Sequence, residues 1–333
     1  MAAVRTFAVM SLVVFAVVCG VARMSASQNG NVITLNVAAF DSHGQPVADL
    51  KSEEFQVTDQ GKPQRIVSFR RNGDAPQLVQ ASNTKSTSPV ILILFDLLNA
   101  NMGNSNLAQD EIIQVLGHLE SSDSVYLYLL TSAGTLYPIH EIPEANTEMP
   151  SSASPWTQQI RPLMKSAIDK VFGMRAMDEQ LVSLRVQTTY RALELLASKM
   201  KPIPGWKNLV WISHGIPLNV RNPNGEWTDY TSTVQRFATD LDRNEIALST
   251  VERGDNPGSR DDAVMQMFAE MTGGKIYDAN LEKVVSEIFA ASRSGYVIQY
   301  AAPPEDGKYH KIRVTSSRKG LRIQTKQGYN ANR

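Results

Sequence analysis

The chain of 333 residues contains one cysteine, Cys19. An intramolecular disulfide is therefore impossible, as are multi-cysteine zinc sites and Cys-x-x-Cys redox motifs. Charge of either sign is not in excess: 33 basic side chains face 33 acidic ones, for a formal net charge of zero. A dedicated nucleic-acid binder carries a strong basic excess, so no nucleic-acid partner is expected. Neither Gly-x-Gly-x-x-Gly nor a Walker A loop follows any expected strand. The usual phosphate cradle is thus missing, and a nucleotide cofactor with it. A Gly-x-Ser-x-Gly nucleophile elbow is absent too.

Long apolar runs are equally scarce. The longest stretches from Phe7 to Val18, behind Arg5 and ahead of Ser25-Ala26-Ser27. A basic start, an apolar middle and small residues at the end predict a signal peptide over 1–27, cleaved after Ser27. The run falls short of the roughly 20 residues needed to span a bilayer. No later segment is longer, so no transmembrane helix is expected in the mature chain. Cys19 follows Val17 and Val18 rather than the small residue of a lipobox, and leaves with the signal. The expected location is outside the cytoplasm, periplasmic or secreted.

What is present is 42% hydrophobic residues against 20% charged, enough for a packed core and, at this length, for two domains. Residues 28–72 read as β: VITLNVAAF, FQVTD and RIVSF alternate with turn clusters at Asp41–Gly44 and Gln60–Pro63. Residues 73–89 are polar and aperiodic, a linker. From 90 to 294 apolar strands alternate with helical stripes: VILILFD, VYLYLLTS, NLVWIS and IALSTV, with helices expected at 157–172, 178–200, 227–243 and 281–293. The 143–156 stretch reads as a Pro- and Ser-rich loop insertion. That alternation predicts an α/β, Rossmann-like, doubly wound and mostly parallel sheet. Residues 295–333 return to β character, which suggests a small β-sandwich made from both ends with the α/β domain inserted. The zero net charge is a cancellation: residues 90–294 hold 17 basic and 25 acidic side chains, residues 295–333 hold 8 and 2.

Candidate chemistry is sparse. Asp96 closes the first buried strand, where open α/β sheets present their ligands; it is either a ligand to metal or substrate or a partner for the helix that follows. Ser213-His214-Gly215 ends NLVWIS, but neighbours on a strand face opposite ways, which argues against a nucleophile–base pair. His43, His118, His140 and His310 show no metal-ligand spacing. Met267 and Met271 fall on a core stripe with Val264 and Phe268. The basic tail, Lys308 to Lys326, suits an acidic partner or anionic surface, or else a solvated face.

The strand ending in Asp96, NLVWISHG and AEMTGGKIYDA resemble the von Willebrand factor type A domain. VADLKSEEFQVTDQGKPQRIVSF before them and GYVIQYAAPPEDGKYHKIRVTSS after them resemble the acidobacterial "VWFA-related" exported proteins. The resemblance implies a metal-ion-dependent adhesion site of the form Asp-x-Ser-x-Ser, with a threonine and a second aspartate from later loops. Here the motif reads Asp96-Leu97-Leu98-Asn99-Ala100, the threonine loop corresponds to Gln187, Thr188 and Thr189, and the last aspartate to His214. Leucine offers no oxygen and imidazole suits Mg2+ poorly. A degenerate metal site is therefore expected, with no cofactor; weak Mg2+ binding at Asp96 beside Asn99 and Thr188 is the alternative. The expected function is a non-enzymatic protein-interaction module for adhesion or assembly. Its partner is a protein or cell-envelope ligand, contacted around Asp96, Asn99, Thr188 and His214. The alternatives are a scaffold without metal-dependent binding, or a hydrolase using Asp96 and His214.

Overall fold

A computed structural model describes residues 32–72, 90–99, 125–142, 182–222, 224–252, 262–277 and 281–331. The expected signal peptide, the linker at 73–89, the loop at 143–156 and the helix at 157–172 lie outside the described residues.

VILILFD forms β5 (Val90–Asp96), buried along its whole length. It is buried because it pairs on both edges, with β6 (Val125–Leu130) and β8 (Lys207–Ser213), and is covered on both faces. β11 (Ile246–Glu252) and β12 (Ile276–Tyr277) extend the sheet in parallel, and β7 (Leu136–His140) returns antiparallel to β6. The order is β12-β11-β8-β5-β6-β7. Leu92, Leu94, Leu209 and Trp211 face α1 (Val182–Met200), α2 (Thr231–Arg243) and α3 (Asp262–Thr272). Ile91, Ile93, Phe95, Val210 and Ile212 face α4 (Leu281–Ser294). The period of two therefore divides one continuous apolar run between two cores.

The two ends of the chain pair with each other. β1 (Val32–Phe40) lies between β13 (Tyr296–Ala301) and β15 (Arg322–Gln324), and β13 also pairs β4 (Ile66–Arg71). A second sheet has the order β16-β14-β2-β3, from β16 (Gly328–Asn330), β14 (Tyr309–Ser316), β2 (Phe55–Asp59) and β3 (Lys62–Gln64). The β2–β3 turn places Gln60 and Gly61 both at positive φ, the backbone that a two-residue hairpin with matching twist requires. Leu35, Val37, Phe55, Val57, Tyr296, Ile298, Ile312 and Val314 fill the space between these sheets.

The expected α/β class is overturned. Strands take 41% of the structure, sixteen of them against four α-helices among the described residues. Three of the four sheets are antiparallel throughout, and the six-stranded sheet is mixed rather than a doubly wound type A sheet. The reason is local. Sequence alternation finds strands long enough to show a period, whereas β9 (Asn219–Arg221), β10 (Trp227–Asp229), β15 and β16 have three residues each. The segment expected as one helix over 227–243 is a strand, β10, followed by α2 from Thr231.

Close backbone packing makes one position unforgiving. A Cβ on Gly274 would lie 2.8 Å from Ser249 N and closer still to Leu248 O, both main-chain atoms of β11. Gly274→Ala is expected to lower stability by about 1–3 kcal/mol through overpacking, measured by denaturant unfolding. Gly320→Ala, where nothing lies within 4 Å of the added atom but φ is +77°, is the comparison that carries backbone strain alone.

Candidate functional site

Parallel pairing brings the C-terminal ends of β5 and β8 side by side, and Asp96 closes β5 there. Its carboxylate is 2% exposed. Oδ1 accepts the Asn99 backbone N–H at 3.1 Å. Oδ2 accepts three donors: Asn99 Nδ2 at 2.7 Å, Ser213 Oγ at 2.8 Å and Trp211 Nε1 at 3.0 Å. The network continues outward. Asn99 Nδ2 also reaches Thr189 Oγ1 at 2.8 Å, Thr189 Oγ1 donates to Arg185 O, and Gly215 N donates to Ser213 Oγ. Burial pushes the Asp96 carboxyl above its ordinary value, against the pull of the Asn99, Ser213 and Trp211 hydrogen bonds.

Of the residues expected here, Asp96 and Asn99 are brought together. Thr188 is half-buried, and its neighbour Thr189 makes the contact. His214 is half-buried beyond Ser213, and among the described residues the four hydrogen bonds to Asp96 come from Asn99, Trp211 and Ser213. Two periodicities carry the missed partners. Val186, Thr189, Tyr190 and Leu193 are buried on α1 at helical spacing, a stripe that Thr188 leaves. Trp211 and Ser213 stand two apart on β8 and so share a face.

The donor set does not fit a hard divalent cation. Such an ion needs several oxygen ligands with free lone pairs, whereas three donors direct their hydrogens at Asp96 Oδ2. The position where the adhesion motif has its first serine is Leu98, 5% exposed in the apolar cluster under α1. Among the described residues no three His, Cys, Asp or Glu side chains gather as metal ligands. Chemically, the arrangement ties two strand ends together.

Above this rim the chain leaves β8 through Gly215 and makes the hairpin β9–β10. The hairpin is braced internally: Asn222 Nδ2 donates to Thr228 Oγ1 at 2.8 Å, and Gly225 N to Asn222 O at 2.9 Å. It is anchored by Tyr230, which stacks on Tyr190 at 6.0 Å and accepts from Gln187 Nε2. Trp227 stands out from it, 67% exposed. Among the described residues no helix is long and apolar enough to cross a membrane.

No family model and no curated protein matches the chain. Similar solved structures include the human COPII-coat protein Sec24c, at 10% identity and a TM-score of 0.36, covering 73% of this chain and 44% of that one. The pilus adhesin SpaC from Lactobacillus rhamnosus GG shares 7% identity at a TM-score of 0.38, over 74% of this chain and 38% of that one. A point mutant of the PilB minor pilin from Streptococcus sanguinis shares 8% identity at a TM-score of 0.41, over 78% and 88%. The chain thus spans less than half the length of the first two.

Proposed function

We propose that the protein is an exported, non-enzymatic interaction module that presents the β9–β10 hairpin to a protein partner. It belongs, in this reading, with the exported family whose terminal signatures its sequence carries. The observation that carries the reading is Trp227, two-thirds exposed on a braced hairpin. Tryptophan is among the side chains most enriched where interfaces gain their affinity. The sealed Asp96 network supports the non-enzymatic part: Asp96 and Ser213 are 2% and 1% exposed, so neither is open to a substrate.

The test is affinity capture of envelope and secreted proteins by the purified protein and by Trp227→Ala. Partner retention is expected to fall by about tenfold or more in the variant, with an unchanged melting temperature and no response to EDTA. Capture that is equal in both proteins, or that disappears with chelator, overturns the proposal.

A further inference from the structure

The basic residues of the C-terminal segment do not share one role. Arg318 is committed to Asp49 at 2.8 Å and Glu54 at 2.9 Å. Lys311, Arg313, Arg322 and Lys326 instead join Lys275 around a groove of about 720 Å³ between α3 and the strands β14 and β15. Glu270 is the acidic side chain in that lining. Lys326 is answered by Asp242 at 2.7 Å, while Lys275 and Arg322 share the single carboxylate of Glu287, at 3.0 and 3.3 Å. Lys311 and Arg313 stand on the exposed face of β14 and meet no carboxylate among the described residues.

The groove also holds an unused strand edge. β16 covers β14 only over Tyr309–Lys311. Ile312 N then donates to Gln327 O, so the Ile312 main chain points away from β2. Alternation turns the main chain of Val314 the same way, and among the described residues no main-chain group pairs with it there. In the opposite wall Gln324 Oε1 and Thr325 Oγ1 are buried without a hydrogen-bond partner.

We propose that this groove binds an extended, acidic segment of a partner polypeptide as an added strand along β14. The proposal rests on the reading of the protein as an interaction module and names the chemistry of one partner. Lys311 and Arg313 are two residues apart on a strand, about 6.6 Å. That repeat matches carboxylates at alternate positions of an extended peptide. A strand supplies the N–H and C=O that Val314 lacks, as in other edge-strand recognition. A bilayer is flat and supplies neither, and it does not reach a main-chain edge inside a groove.

The probe is a fluorescein-labelled peptide alternating glutamate and threonine, titrated with the purified protein and read by fluorescence anisotropy. Saturable binding is expected. It should weaken about tenfold or more in Lys311→Glu/Arg313→Glu, with melting temperature checked, and also when the peptide is N-methylated on its backbone. Lys62→Glu, on β3 two strands away from β14, should bind within about twofold of wild type. The proposal is overturned by no saturable binding or by an equal loss in Lys62→Glu. It is also overturned by binding of phosphatidylcholine vesicles containing a quarter phosphatidylglycerol, when the peptide is not bound. Peptide failure alongside Trp227-dependent capture removes the groove alone. Peptide binding alongside capture indifferent to Trp227 keeps the groove and removes the hairpin reading.

Discussion

Asp59→Ala is expected to cost about 3–5 kcal/mol of folding stability, the range for stripping one partner from a buried charged network. Asp59 ends β2 and is 2% exposed. Its Oδ2 accepts Tyr300 Oη at 2.8 Å and Tyr329 Oη at 2.9 Å, and its Oδ1 lies 2.8 Å from His310 Nδ1. The other ring nitrogen of His310 is 3.0 Å from Asp306 Oδ1. Burial, and then the Asp59 carboxylate, push the Tyr300 hydroxyl far above its ordinary range; the same causes raise Tyr329. Both phenols therefore stay protonated and donate. Removing the carboxylate takes the acceptor from the phenols of β13 and β16 and the neighbour from the His310 ring of β14 in one step. Asp59→Asn keeps the volume and one acceptor, so its loss should be smaller. Guanidinium unfolding reads the difference, and a loss under about 1 kcal/mol for the alanine variant would sink the idea that this cluster ties the two sandwich sheets.

The second large effect is at Asp96 and depends on pH. Because the folded-state carboxyl titrates above its ordinary 3.8, the folded protein holds a proton that the unfolded chain has already released. Between those two values the folded state binds more protons, so this group's contribution to stability falls as pH rises. Asp49, Glu54, Asp229 and Asp306 are shifted down, mainly by hydrogen bonds, and act in the opposite sense. Their effects cancel when wild type is compared with Asp96→Asn. The expected result is a stability difference that moves against wild type from about pH 4 upward and then levels off. A difference independent of pH would show that Asp96 titrates normally. Asp96→Ala, by contrast, should lose about 3 kcal/mol or more at every pH, since Trp211, Ser213 and Asn99 keep donors with nothing to accept them.

Much of this was legible where a residue's neighbours along the chain decide its fate. VILILFD reads as a strand buried on both faces, and β5 is one. Asp96 at its end is singled out by position; its carboxylate accepts from Asn99, Trp211 and Ser213, and Thr189 is reached only through Asn99. Illegible were the features made by distant pairing or by very short elements. Trp227 follows an Asn222-Pro223-Asn224-Gly225 turn signal, yet three residues on either side are too few to show a strand period, and a helix was expected there. LRIQTKQGY reads as one strand, but β15 joins the sheet of β1 and β16 joins the sheet of β14, a choice that no local pattern encodes. His310 looked like one of several scattered histidines because Asp59 lies 251 positions away.

That separation has a consequence in time. Leu50 N donates to Tyr296 Oη across 246 positions, and β1 finds both of its neighbours only in the last forty residues. At a synthesis rate of about 5–20 residues per second, the partners of the first strands emerge roughly 12–50 seconds after them. Through that interval β1 and β4 have no strand partner and β2 has only β3, and open edges are the form in which strands pair wrongly with other chains. The chain cannot complete its sandwich early, and whatever shields those first strands during the wait governs the yield of folded protein.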